Sequence, residues 1–180
     1  MAVIIAAVGI SGSGKTTTLE YLISHLSSED YRIGAIKHIH RENFTIDKEG
    51  TNTWRFSKAG SKITVAISPE EIAIIEKTNN SLNDLDKIIK FLESEKLDII
   101  FIEGFKDEIS KRPEILKIIT AKTSEDLQKT LDNSVPPILA ISGLVTKTKQ
   151  ILSDIPYINL PDEGPKLLEI VKNYLNTRKK

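Results

Sequence analysis

The chain opens on an unbroken apolar run, Ala2–Val8 (AVIIAAV), which is the pattern of a strand covered on both faces. A glycine-dense turn interrupts it. Leu19, Leu22, Ile23 and Leu26 then recur at helical spacing and predict a helix over about 15–27. RIGAIKH (Arg32–His38) reads as a second strand. The next stretch, IHRENFTIDKEGTN, is polar and without a period, and connections of that length are often functional. TWRFSKAG suggests a short helix with Gly60 as its stop, and its aromatics Trp54 and Phe56 are expected in the core rather than as a stacking platform.

SKITVAIS and IAIIEKT read as two strands separated by PEE, and the hairpin-like IIEKTNNS region suits either a sheet edge or a contact between two copies. Leu82, Leu85, Ile88, Ile89 and Leu92 mark a helix opened by Ser81 as N-cap. LDIIFIEGF, EILKIIT and PPILAISG supply further strands, and Leu167, Leu168, Val171 and Leu175 a C-terminal helix before a frayed tail. Strands interleaved with helices imply an α/β fold in which helices flank a mainly parallel sheet on both faces. No repeat or linker breaks the pattern, so residues 1–180 are expected to form a single domain.

Composition narrows the chemistry. At 39% hydrophobic and 28% charged, with 25 basic and 25 acidic residues, the chain carries no charge excess that would make nucleic acid its default partner. The absence of cysteine excludes disulfides, thiolate metal sites and a cysteine nucleophile. The first apolar run is too short for a signal segment or a membrane span, so a cytoplasmic protein without membrane contact is expected.

GISGSGKT (Gly9–Thr16) fits G-x-x-x-x-G-K-[ST] between a strand and a helix, the context this phosphate-binding motif requires. Glycines let successive N–H groups converge on phosphate oxygens, and the following helix points its positive end at the same place. The nucleotide-binding set is therefore Gly9, Ser11, Gly12, Ser13, Gly14, Lys15, Thr16 and Thr17, with Lys15 charging the β- and γ-phosphates and the Thr16 hydroxyl a ligand for Mg²⁺. These features predict a three-layer P-loop NTPase architecture.

A carboxylate is still needed for the metal. Glu103 ends its strand at the mouth of the sheet and is the preferred ligand, with Lys15 as its catalytic companion; Asp98 is at the wrong end of that strand. Asp47 forms a D-x-x-G pattern with Gly50 and is the second candidate. His38 and His40, two apart on a strand end and followed by Arg41, would share one face suited to an anionic second ligand.

GISGSGKTTTLEYLI, IGAIKHIH, FTIDKEGTNTWRFSKAGS and FIEGFK, in that order, resemble the molybdopterin-guanine dinucleotide biosynthesis protein B (MobB) family. The likeness runs to about Lys106. It implies a P-loop fold binding GTP with Mg²⁺, a homodimer, weak GTP hydrolysis, and an adapter role beside a MobA-type guanylyltransferase that joins GMP to molybdopterin. Molybdopterin and molybdoenzyme-maturation partners are implied with it. Gly9, Gly12, Gly14, Lys15, Thr16 and Thr17 match the family's phosphate loop, and His38, Asp47 and Glu103 its facing charged positions. Arg41 departs from it, standing where another histidine is expected.

Two other readings compete. A small-molecule or nucleotide kinase needs arginines around the migrating phosphoryl group, and only Arg32, Arg41, Arg55, Arg112 and Arg178 exist, although Lys106, Lys111 and Arg112 offer a modest substitute. A switch GTPase would carry an N/T-K-x-D guanine-reading motif, which is absent, so guanine preference comes from the resemblance alone.

Overall fold

The computed structural model describes residues 2–41, 44–78, 85–147 and 154–178. The chain divides into two compact units, residues 1–38 with 90–180, and residues 39–89.

The first unit is built on five strands: β1 (Val3–Val8), β2 (Ile33–Lys37), β5 (Ile99–Glu103), β6 (Leu116–Thr120) and β7 (Ile138–Ser142). Their order is β2-β5-β1-β6-β7 and every pairing is parallel. Strands β1, β5 and β6 are buried along their whole length, which is why β1 and β5 read as continuous rather than alternating apolar runs. β2 lies at the sheet edge and is only partly buried. Helices α1 (Lys15–Ser27) and α6 (Gly164–Arg178) add Leu22, Leu26, Leu167, Val171 and Leu175 to a core shared with Ile5, Ile99, Phe101 and Ile118. The expected mainly parallel α/β architecture is present.

One charge lies inside this core. Lys117 on β6 is fully buried, and its ammonium donates to the carbonyls of Arg112 (2.6 Å) and Ile115 (2.8 Å). Burial lowers its pKa from 10.5, with Glu114 opposing.

Helix α5 (Ser124–Asp132) was not apparent from the pattern of apolar residues. It is largely polar and buries Leu127 and Thr130, and its start is set by Thr123, which accepts from the Asp126 N–H at 3.2 Å. A short helix, α4 (Lys106–Ile109), follows β5, and a 3₁₀ turn (Leu144–Lys147) follows β7.

The second unit holds α2 (Asn52–Lys58) and an antiparallel hairpin, β3 (Ile63–Ile67) with β4 (Ile72–Glu76). The two strands form a sheet of their own. The expected core placement of the α2 aromatics is corrected: α2 buries no residue, Phe56 is 59% exposed, and Trp54 carries the Lys58 ammonium 5.3 Å from its ring centre. Helix α3 (Leu85–Glu93) runs where the leucine and isoleucine spacing placed it, whereas Ser81 and Leu82 fall outside the described residues. No helix among the described residues is long and apolar enough to cross a membrane.

Candidate functional site

The β1–α1 turn is shaped by what its glycines lack. A Cβ on Gly9 would strike the Thr120 carbonyl and come within 2.6 Å of the Thr120 hydroxyl, so the turn can lie against the end of β6 only without one. Gly12 (φ 68°) and Gly14 (φ 103°) take left-handed conformations that let the chain curl. Gly14 is the N-cap of α1 and offers no side chain to it, so the first-turn amides of Lys15, Thr16 and Thr17 have neither an intrahelical acceptor nor a side-chain cap. An anion is their natural partner.

Ser13 faces inward. It is fully buried, its hydroxyl 2.6 Å from that of Thr120, so only its main chain can meet a ligand. Ser11, Gly12, Thr16 and Thr17 are exposed on the outer side of the turn. Lys15 donates to the carbonyls of Gly9 (3.1 Å) and Ile10 (2.7 Å), folding its ammonium over the turn.

Glu103 ends β5 beside β1, its Cα paired with that of Ala7, and on its other side with that of Lys37. It is 8% exposed. One carboxylate oxygen accepts from the Thr16 hydroxyl at 2.9 Å, and the other is ion-paired with Lys37. Burial alone would raise its pKa. The hydrogen bonds from Lys37 and Thr16, with the charges of Lys37 and Lys15, outweigh that and hold it below 4.5. Lys15 is shifted down from 10.5, first by burial, against the pull of Glu103, and further by the like charges of Lys37, Lys106 and Lys122. Three further lysines thus act on Lys15, of which Lys37 and Lys15 itself face the carboxylate, a field that favours a polyanion.

The structure brings Lys15, Thr16 and Glu103, the residues the sequence points to, close together, and sets beside them Lys37, Lys122 and Thr120, which the sequence does not single out. Lys37 lies directly before the histidines that were singled out, and a lysine at a strand end reads as ordinary solubilising charge. Asp98 is at the far end of β5, bonded to the Arg32 amide at 2.8 Å.

The histidines need a correction. β2 ends at Lys37, so His38 and His40 lie beyond the strand and its alternation does not put them on one face. His38 stacks on Phe105 (centroids 4.0 Å apart, rings 10° from parallel) and bonds through its amide to the Glu103 carbonyl. Gly104 (φ 110°) is required there, because a Cβ would run into His38 at 2.5 Å. The EGF segment is therefore a packed corner that fixes Glu103.

In the second unit, His40 and Arg41 are exposed. Asp47 accepts from the hydroxyls of Thr51 (3.0 Å) and Thr53 (2.9 Å) through Oδ1, while its Oδ2 is buried with no hydrogen-bond partner among the described residues. Asp47, Lys48, Thr53, Glu76 and Lys87 line a cavity of about 560 Å³ in that unit. No cluster of three or more His, Asp or Glu suited to a metal occurs among the described residues. Thr16 and Glu103 nevertheless form a hydroxyl–carboxylate pair of hard oxygens, the donor type Mg²⁺ takes when phosphates and water complete its shell.

Comparison with known proteins gives a consistent result. The family model described as "Molybdopterin guanine dinucleotide synthesis protein B" matches residues 4–141. The molybdopterin-guanine dinucleotide biosynthesis adapter protein of Haemophilus influenzae is 32% identical over 169 residues, 93% of this chain and 86% of that protein. The Escherichia coli adapter protein is 36% identical over 148 residues, 74% of this chain and 84% of that one. A putative adapter protein of Methanocaldococcus jannaschii is 36% identical over 68% of this chain, which spans only 48% of that protein. In fold, the crystal structure of Bacillus subtilis MobB superposes with a TM-score of 0.73 at 23% identity, covering 94% of this chain and 96% of that one.

Proposed function

The chain belongs to the molybdopterin guanine dinucleotide synthesis protein B family, and from that premise we propose that it is a GTP-binding adapter of molybdenum cofactor biosynthesis. In this reading it assists a MobA-type guanylyltransferase in attaching GMP to molybdopterin. The carrying observation is the contact of Thr16 with Glu103 at the mouth of the Gly9–Thr16 turn, with Lys15 and Lys37 beside it.

Each residue has a task. The first-turn amides of α1 receive the β-phosphate oxygens. Lys15 exchanges the Gly9 and Ile10 carbonyls for phosphate oxygens, so little new ordering is needed when the ligand arrives. Thr16 and Glu103 would hold Mg²⁺, directly or through water, and the ion would neutralise charge shared between the β- and γ-phosphates. Lys37 balances Glu103 whether or not the ion is bound. The cations here are lysines, point charges that hold a phosphate without the rigid bidentate geometry arginine brings to a migrating phosphoryl group. That favours holding GTP and hydrolysing it slowly over transferring its phosphate to an acceptor.

The hairpin supports a homodimer. Ile63, Val65, Ile67, Ile72 and Ile74 are each at least 51% exposed on a two-stranded sheet, an apolar surface that water disfavours and that a second copy would cover. The exposed His40 and Arg41 of the second unit are the proposed place for an anionic second ligand such as molybdopterin. The cavity in that unit suits an anion less, since its lysines are balanced by Asp47 and Glu76, and Lys87 is paired with Glu76 at 3.0 Å.

Calorimetric titration with GTP in the presence of Mg²⁺ tests the central assignment. The natural chain is expected to bind, and Lys15→Ala to lose most of the affinity. Unchanged binding by Lys15→Ala contradicts the phosphate-turn assignment.

A further inference from the structure

Lys37 is the last residue of β2 and Glu103 the last of β5, and their Cα atoms are paired in the parallel register. Side chains paired in this way leave the sheet on the same face, and here their charged ends meet. Their surroundings differ. The Glu103 side chain is 10% exposed, whereas that of Lys37 is 55% exposed. Among the described residues the Lys37 ammonium bonds to Glu103 alone, which leaves two of its three hydrogens to give. We propose that this ammonium receives the terminal phosphate of a nucleoside triphosphate, and that Lys37 thereby selects a triphosphate over a diphosphate. The proposal rests on the phosphate-turn reading above and adds to it a residue outside the turn and its motif.

The sheet order sets the direction of the phosphate chain. The turn follows β1, Glu103 stands on the neighbouring strand β5, and Lys37 on β2 one strand further out. The uncapped amides at the start of α1 suit the β-phosphate oxygens, and Thr16 in that first turn reaches Glu103 at 2.9 Å. A hydroxyl–carboxylate pair of this kind suits a cation shared between β- and γ-oxygens, so the third phosphate belongs on the β5 side of the turn. The next cation in that direction is Lys37.

The other lysines of the site are placed differently. Lys15 lies folded over the turn on the carbonyls of Gly9 and Ile10, and serves phosphates already inside it. Lys122 follows β6, on the opposite flank of β1, with its ammonium 3.2 Å from where a Cβ on Gly12 would stand. Lys106 acts on Lys15 through charge alone. Lys37 acts on both Lys15 and Glu103, so it shares the field of the turn while standing outside it. A diphosphate would leave it on Glu103. A triphosphate would give the same ammonium a second anionic acceptor without breaking the first contact.

The experiment titrates the full chain with GTP and with GDP by calorimetry, in Mg²⁺ and again in EDTA. The natural chain is expected to bind GTP at least about tenfold more tightly than GDP, the scale of one hydrogen bond between charged groups. Lys37→Met should narrow that gap to about threefold or less in both buffers. Persistence in EDTA separates a direct contact with the phosphate from an effect passed through Glu103 to the metal. Lys122→Met, which removes a lysine from the other flank, should shift GTP and GDP together and keep the gap. If Lys37→Met leaves Glu103 unpaired and does not fold, Lys37→Met with Glu103→Gln removes both charges and is read in EDTA.

Three results overturn the terminal-phosphate assignment and leave the phosphate turn standing: equal affinity of the natural chain for GTP and GDP, a gap that survives the loss of Lys37, or a narrowing confined to Mg²⁺. A Lys122→Met that narrows the gap as far also overturns it, since loss of charge alone would then account for the effect. Failure of both GTP and GDP to bind the natural chain removes the phosphate turn itself, and this proposal with it.

Discussion

Replacing Glu103 by glutamine removes one charge and almost no volume, which makes it the sharpest probe of the phosphate end. The amide oxygen can still accept from Thr16 across the 2.9 Å that now separates them from the carboxylate. The ion pair with Lys37 is lost, but the lysine side chain is 55% exposed, so solvent screens the pair and it is worth about 1 kcal/mol or less. For a chain of this size that is a fall in melting temperature of about 2–4 °C. Metal binding should suffer far more, because a carboxylate that holds or orients a cation typically contributes about 10–100-fold in affinity. GTP affinity measured by calorimetry with Mg²⁺ should therefore drop by that factor, while affinity in EDTA changes no more than about threefold. Equal losses with and without Mg²⁺ would refute the metal role of Glu103. The same substitution has a pH signature. The carboxyl is more acidic folded than unfolded, so its contribution to stability is complete above 4.5 and disappears as pH falls through the lower folded value. Glu103→Gln should flatten that part of the acid denaturation profile.

Other outcomes follow from the same structure. Gly9→Ala forces its Cβ into the Thr120 carbonyl, so it should cost about 1–3 kcal/mol in denaturant unfolding and weaken tripolyphosphate binding together with GTP. Ile67→Lys with Ile72→Lys charges the paired tip of the hairpin and should turn a dimer into a monomer in analytical ultracentrifugation, with the melting of the first unit unaffected; a natural chain that is already monomeric would count against the proposed dimer surface. Lys117 gives up its proton more readily folded than unfolded, so stability should gain as pH rises toward 10.5, and Lys117→Met should reduce that gain to the part Lys15 contributes when the two chains are compared in urea.

What could be read from the sequence divides along physical lines. β1 and β5 were legible because burial on both faces leaves a continuous apolar run, and Gly9–Thr16 because left-handed turns and an uncapped helix start demand glycine at fixed places. Glu103 was legible from its position at a strand end. The partners that make these residues a site were not. Ser13 meets Thr120 across 107 residues of sequence, and Lys37 meets Glu103 across 66; neither separation leaves a local pattern. Helix α5 escaped notice because it has few apolar residues and its start depends on one threonine cap. His38 and His40 were expected to share a strand face, but β2 stops at Lys37, so strand alternation does not govern either of them. The α2 aromatics looked like core because aromatics usually are, yet this helix packs no residue out of solvent.

The hydroxyl tie between Ser13 and Thr120 has a thermodynamic consequence. It fastens the rim of the phosphate turn to the neighbouring strand, so the loop loses its conformational entropy when the chain folds and not again when a ligand docks. In the proposed reading, filling such a cradle would rearrange charge more than backbone: Lys15 would exchange the Gly9 and Ile10 carbonyls for phosphates, and the load on Glu103 and Lys37 would change with it. News of occupancy would then leave this site as an altered field at the edge of the sheet, with the loop itself nearly still.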